Sequence, residues 1–230
     1  MKGWMLMISC MSIFLEGFSQ DASVLINKVK AKIEQVNDYR ASGVMKTNVP
    51  FLKVPVSEIV VYFKKPGKLK IKNQQGISLV PKGAKSISLS NLMSGRNFTA
   101  IPSGKATIKG LPVTVVKLLP TDDTEDIVLS TLYIDESKLL IVRAVTTTRE
   151  NGTYELDMEY GRFGNYALPD QVHFTFNIKE YKLPKGVTFD YDDGSDKKKA
   201  NPQENNNKGK LEITYSNYVI NKGVPDSAFN

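Results

Sequence analysis

Two side chains best suited to catalysis occur once each: His173 and Cys10. His173 lies between Val172 and Phe174 in an alternating run, on the side away from the apolar residues. A Ser-His-Asp constellation or a zinc site is hard to assemble from one histidine and no second thiol. No Gly-x-Ser-x-Gly elbow, phosphate-cradling glycine loop or Gly-x-Gly-x-x-Gly is present. The acidic cluster Asp190, Asp192, Asp193, Gly194, Asp196 invites comparison with a calcium loop. Such a loop needs glycine at its sixth position and a carboxylate at its twelfth. Counted from Asp190, the glycine comes one place early and the twelfth residue is Asn201. The spacing fails, and no metal or other cofactor is expected. Nor is an enzyme.

A different chemistry is offered by the stretch Ile59–Ile71. Ile59, Val61, Phe63, Lys65, Leu69 and Ile71 alternate with Val60, Tyr62, Lys64, Lys68 and Lys70. If the first set faces inward, Lys65 is a cation at the edge of an apolar pocket; otherwise it is a turn lysine in water. Lys65-Pro66-Gly67 breaks the run, since proline fixes φ and glycine accepts the positive φ that follows.

The elements that position this stretch are mostly strands. Residues Ile127–Ile178 alternate apolar runs with short turn clusters. In one run Tyr154, Leu156, Met158 and Tyr160 share a face opposite Thr153, Glu155, Asp157 and Glu159; Val172, Phe174, Phe176 and Ile178 repeat the pattern. Asn151-Gly152 predicts a tight hairpin with both residues at positive φ. Before this meander, strands are expected over 39–49, 56–64, 68–72 and 76–81, and two or three more over 97–120. A last strand is expected over 211–220, after a turn at 181–187 and a polar loop over 190–210. Helical spacing appears at 21–37, through Val24, Leu25, Val29, Ile33 and Val36, and at Ser86–Ser94, through Leu89, Leu92 and Met93. One amphipathic helix and one short helical piece cannot cover a large sheet from outside. They can cover the mouth of a curled one, so the expected fold is mainly β: an unclosed antiparallel β-barrel, or half-barrel, under an N-terminal helix and a short helical lid.

Composition is that of one globular domain, at 41% hydrophobic and 24% charged. The net charge of +7 raises nucleic acid or an anionic membrane as partners. The lysines form no long block, and the aromatics alternate with acids rather than with Lys or Arg, so no nucleic acid is expected. Met1-Lys2, the apolar Trp4–Leu15 and the small residues Gly17-Phe18-Ser19 have the layout of a secretory signal peptide, with cleavage expected after Ser19. Acylation at Cys10 is the alternative; few apolar residues precede it. Residues 20–230 then form a single exported domain.

The helix after an export signal, and Tyr62-Phe63-Lys64-Lys65-Pro66-Gly67-Lys68-Leu69-Lys70 after it, resemble the periplasmic outer-membrane lipoprotein carrier family, LolA-like, with LolB-like and RseB-like relatives. Leu168-Pro169-Asp170 and Leu183-Pro184-Lys185-Gly186-Val187 resemble it too. The resemblance implies an apolar cavity between lid and sheet that holds lipoprotein acyl chains or another lipid, in the periplasm, without covalent chemistry. It implies inner- or outer-membrane transport proteins as partners of a monomer. Carriers often place arginine at Lys65, engaging the lid, and an aromatic at Leu69. Joined to the spacing, it gives an expected lining of Val61, Phe63, Lys65, Leu69, Ile71, Leu89, Leu92, Met93, Tyr154, Leu156, Met158 and Phe174. An envelope-stress regulatory module of the same fold, which senses lipid and contacts a membrane protein, is the alternative function.

Overall fold

The computed structural model describes residues 16–49, 55–73, 93, 97–122, 126–177 and 208–229. Residues 1–15, the strand expected at 76–81, Leu89 and Leu92 of the expected lid, the turn at 181–187 and residues 190–207 of the expected loop lie outside these. The elements are helix α1 (Glu16–Ile33) and strands β1 (Asp38–Asn48), β2 (Ser57–Lys64), β3 (Lys68–Asn73), β4 (Phe98–Ile108), β5 (Leu111–Pro120), β6 (Ile127–Asp135), β7 (Leu140–Thr148), β8 (Gly152–Glu159), β9 (Gln171–Asn177) and β10 (Lys208–Ile220). Short 3-10 turns at Gly164–Tyr166 and Asp226–Phe229 complete them.

The strands form one antiparallel sheet of ten, in the order β3-β2-β1-β10-β9-β8-β7-β6-β5-β4. Its two edges, β3 and β4, are not paired with each other, which makes it the open half-barrel expected from the sequence. Strand identity follows from period-two burial: in β9, Val172, Phe174 and Phe176 are buried while Gln171, His173, Thr175 and Asn177 are only partly so. The expected meander is present as β6 to β9.

Several boundaries differ from expectation. Helix α1 starts at Glu16, upstream of the expected cleavage point, and ends at Ile33 rather than Asn37. Residues 97–120 form two strands, within the expected two or three, but long rather than short, because β4 continues through Pro102 and Gly104 by way of a bulge. The hairpin with both central residues at positive φ is Lys109-Gly110, with φ of 49° and 82°, between β4 and β5. At Asn151-Gly152 only the glycine takes positive φ, and Thr148 pairs directly with Gly152 across a longer loop. Lys208–Lys210, expected as loop, begin β10.

Helix α1 lies against β4 and the Gly164–Tyr166 turn. Ala22, Ile26, Val29 and Ile33 recur at helical spacing and are all buried. Lys30 and Lys32 sit in the last turn, where the helix dipole favours cations. Lys32 Nζ donates to the Lys138 carbonyl at 2.6 Å, tying the helix end to the β6–β7 turn.

The sheet is joined at β1 and β10, the first and last strands, with Tyr39 opposite Ile220 and Asn48 opposite Lys210. A bulge at Ser42/Gly43 keeps Ala41 opposite Tyr218 and Gly43 opposite Tyr215. A Cβ at Gly43 would stand 2.5 Å from the Thr214 carbonyl oxygen, so only glycine lets the two backbones come this close. Asn221 closes the corner: its Oδ1 accepts from the Asn37 amide at 2.7 Å and its Nδ2 donates to the Gln35 carbonyl at 2.9 Å.

Edge strands invite foreign strands. Along β4, Pro102, Lys105 and a bulge discourage this. On the outer side of β2 and β3 the C-terminal turn is held by Asp226, whose carboxylate takes Lys64 at 3.1 Å and Lys68 at 2.9 Å.

Two outcomes are expected. Gly43→Ala should cost about 1–3 kcal/mol, because backbone rather than a flexible side chain must give way; urea unfolding reads this as a lowered midpoint with unchanged slope. The second concerns Asp226, whose carboxyl is held below its ordinary 3.8 by hydrogen bonds from Lys68 and then Lys64. A lowered folded-state value means that docking is favoured while the carboxylate is charged and is lost as pH falls through that value. Phe229 resonances should move toward free-peptide positions below pH 3.8, while those of Leu156 stay put.

Candidate functional site

Cross-strand register assembles the inner face row by row. One row runs Thr47, Leu211, Phe174, Leu156, Ala144, Leu132, Val116, spanning seven strands. The next runs Gly209, Phe176, Tyr154, Thr146, Ser130, Leu118, Ala100. Toward the other edge lie Ile71, Val61, Ala41, Tyr218 and Leu69, Phe63, Tyr39, Ile220. The buried apolar side chains of these rows and of α1, with Met93, belong to one hydrophobic cluster.

Of the expected lining, Val61, Phe63, Ile71, Met93, Tyr154, Leu156, Met158 and Phe174 are buried in that cluster, and Leu69 packs against it partly buried. They fall in two groups on one face: Val61, Phe63, Leu69 and Ile71 on β2 and β3; Tyr154, Leu156, Met158 and Phe174 on β8 and β9. Leu89 and Leu92 lie outside the described residues. Lys65 is not on this face. Its ammonium turns to the end of α1, donating to the Glu34 carbonyl and, at 3.4 Å, to Asn37 Oδ1. The Glu34 carbonyl lies just past the helix end, where carbonyls lack helical partners, so Lys65 supplies the missing donor.

Each group includes ring contacts. Tyr39 stacks on Phe63 at 5.2 Å between centroids, and Tyr218 meets Tyr39 edge-on at 5.4 Å. Phe174 lies between Tyr154 at 5.4 Å and Phe176 at 5.3 Å. The Phe176 ring covers Gly209, where a Cβ would come within 2.4 Å of it. Burial pushes the phenols of Tyr39, Tyr160, Tyr215 and Tyr218 above their ordinary range, so they remain neutral donors. Tyr218 donates to the Pro169 carbonyl at 2.7 Å and Tyr160 to the Ile141 carbonyl at 2.8 Å.

Three features were not read from the sequence. Ser130 and Thr146 place hydroxyls on the inner face and satisfy each other at 3.0 Å. Thr47 Oγ1 is buried on the same face with no hydrogen-bond partner among the described residues. The third is an open cleft of about 350 Å³ where the β4–β5 turn approaches the end of β8. Ile108, Leu111, Leu140 and Met158 line it, and Lys109 spans to Glu159 at 2.5 Å. The Lys109-Gly110 dipeptide was the available signal for this turn.

The outer face is polar. Arg143 binds Asp157 at 2.6 Å and Glu155 at 3.2 Å. His173 stands in register between Asp157 and Glu212, on the outer side expected from its spacing. Among the described residues no three metal-ligating side chains gather, and no helix is long and apolar enough to cross a membrane.

No protein-family model matches the chain, and no curated protein matches it by sequence. Solved structures do. A domain from Vibrio parahaemolyticus assigned to outer membrane lipoprotein sorting has a TM-score of 0.55 at 11% identity, over 92% of this chain and 97% of that one. A DUF1329 family protein from Desulfovibrio piger has a TM-score of 0.55 at 12% identity, over 93% and 97%. A LolA superfamily protein from Nitrosomonas europaea has a TM-score of 0.54 at 10% identity, over 91% and 97%. The likeness spans nearly the whole of each chain, so the protein has the fold of the LolA-like lipoprotein-sorting domains.

Proposed function

We propose that the protein is a periplasmic carrier-like protein that holds the acyl chains of a lipoprotein or another lipid against the inner face of its half-barrel, in outer-membrane lipoprotein sorting. The observation that carries this reading is the make-up of that face. Apolar residues from β2–β3 and from β8–β9 converge there in a fold shared with lipoprotein-sorting domains. No step in this function requires a nucleophile or a metal.

Magnitudes fit reversible binding. Burying a methylene gains about 0.8 kcal/mol, so a sixteen-carbon chain offers on the order of 12 kcal/mol gross. Release requires that part of this be offset, by parting α1 and Met93 from the sheet. Met158, Met45 and Met93 suit a surface that must accept a ligand and then repack.

Mass spectrometry of protein isolated from its own envelope should find a co-purifying lipid, and a fluorescent fatty acid should bind and be displaced by lipoprotein. Leu69 is only partly buried at the edge of the face, so Leu69→Lys should fold while binding the fatty acid at least about tenfold more weakly, the worth of roughly two buried methylenes. If no lipid co-purifies and the fluorescent fatty acid neither binds nor is displaced, the proposal fails.

A further inference from the structure

The sequence Lys64-Lys65-Pro66-Gly67-Lys68-Leu69-Lys70-Ile71-Lys72 carries five lysines in nine residues, and the fold sorts them. Lys65 turns to the helix end. Strand alternation puts Leu69 and Ile71 on the inner face and Lys68, Lys70 and Lys72 together on the outer one. Lys64 lies directly opposite Lys68, and Lys70 opposite Tyr62, which is itself opposite Arg40. Like charges directly opposite on a sheet oppose folding. One carboxylate offsets this pair, that of Asp226, shared between Lys64 and Lys68. Among the described residues Lys70 and Lys72 meet no carboxylate; Lys72 lies over the Tyr62 ring at 5.6 Å and Lys70 donates to the Phe229 carbonyl at 3.5 Å. The ammonium groups remain in reach of solvent, with side-chain exposure of 49% at Lys68 even beneath the C-terminal turn. Val219, next to Arg40 across β10 and β1, adds an exposed apolar side chain.

The arrangement is an outer-face basic patch at one edge of the sheet. Its cations are set along a strand rather than converging on a point, and all but Arg40 are lysine. Lysine is a hydrated point charge without the fork that reads a carboxylate bidentately. Such a row matches a diffuse anionic plane better than a shaped acidic partner.

We propose that the outer face of β2–β3, through Lys64, Lys68, Lys70 and Lys72, seats the protein on an anionic phospholipid surface. The contact is electrostatic and peripheral. It lies on the opposite face of the sheet from the acyl-binding surface and does not depend on that surface holding a ligand.

The test is co-sedimentation of the full chain with vesicles of phosphatidylcholine containing phosphatidylglycerol, against vesicles of phosphatidylcholine alone. Binding should appear only with the anionic lipid and fall steeply as salt is raised. Each lysine near an anionic surface is worth about fivefold in partitioning, so Lys70→Gln with Lys72→Gln should weaken binding about 25-fold. Lys105→Gln with Lys117→Gln, exposed on β4 and β5, removes the same charge from the other edge and should leave binding within about twofold of the parent protein. Equal loss in both double variants, equal binding to both vesicles, or no vesicle binding overturns the proposal. Absence of vesicle binding with Lys70- and Lys72-dependent retention by polyglutamate would assign the patch to an acidic polypeptide instead.

Discussion

The pairing of β1 with β10 is the constraint on which the rest depends. It joins the strand that follows α1 to the last strand of the chain, and through it β2 and β3 enter the same sheet as β4 to β9. Without that junction there would be a three-stranded basic sheet and a seven-stranded one running from β10 to β4, each with an uncovered apolar face. The junction is tight because Gly43 carries no side chain at the Thr214 carbonyl, and it is cornered by Asn221, which bonds the link between α1 and β1. Register then propagates outward: a one-residue slip at β1–β10 would turn Phe63 and Val61 to water and bring Lys64 inside.

Given that register, the concave face becomes continuous. Rows of side chains extend across it, and α1 is laid over them by Ala22, Ile26, Val29 and Ile33. Polar groups on this face are few. The Ser130–Thr146 pair is consistent with burial because each hydroxyl meets the other. The outer face carries the ionic pairs, and Arg143 between Glu155 and Asp157 shows the division within two adjacent strands. The sheet is thus apolar on its concave side and charged on its outer one.

The sequence made the strands legible because period-two alternation is a local property. Tyr154, Leu156 and Met158, and again Val172, Phe174 and Phe176, announce the inner face without knowledge of their neighbours. Helix α1 was legible through Val29 and Ile33, although Val24 of the expected stripe is exposed, Ala22 and Ile26 are buried in its stead, and the helix starts within the leader-like segment. Turn conformation was less legible. Asn151-Gly152 has the composition of a two-residue hairpin, yet the pairing of Thr148 with Gly152 selects a longer loop, while Lys109-Gly110 forms the tight one with no asparagine at all. Lys65 was ambiguous for a physical reason. Its place on the inward set of the alternation says nothing once the strand ends at Lys64, and its direction is set by a helix-end carbonyl more than thirty residues away. The cleft beside Met158 was beyond reach because it is made by the approach of a turn to a distant strand end.

The meander also bears on how the chain can change over time. Each strand except at the β1–β10 junction pairs with a neighbour in sequence, and β9 and β10 pair across the whole of residues 178–207. Closing a connection costs entropy that grows only logarithmically with its length, about 0.6 kcal/mol for each doubling. The length of that connection therefore weighs little on the β9–β10 pairing. The corner at Asn221 and the close approach at Gly43 have no such slack. A side chain at Gly43 meets backbone instead, so what this fold has to keep is the register of β1 on β10, not the length of its connections.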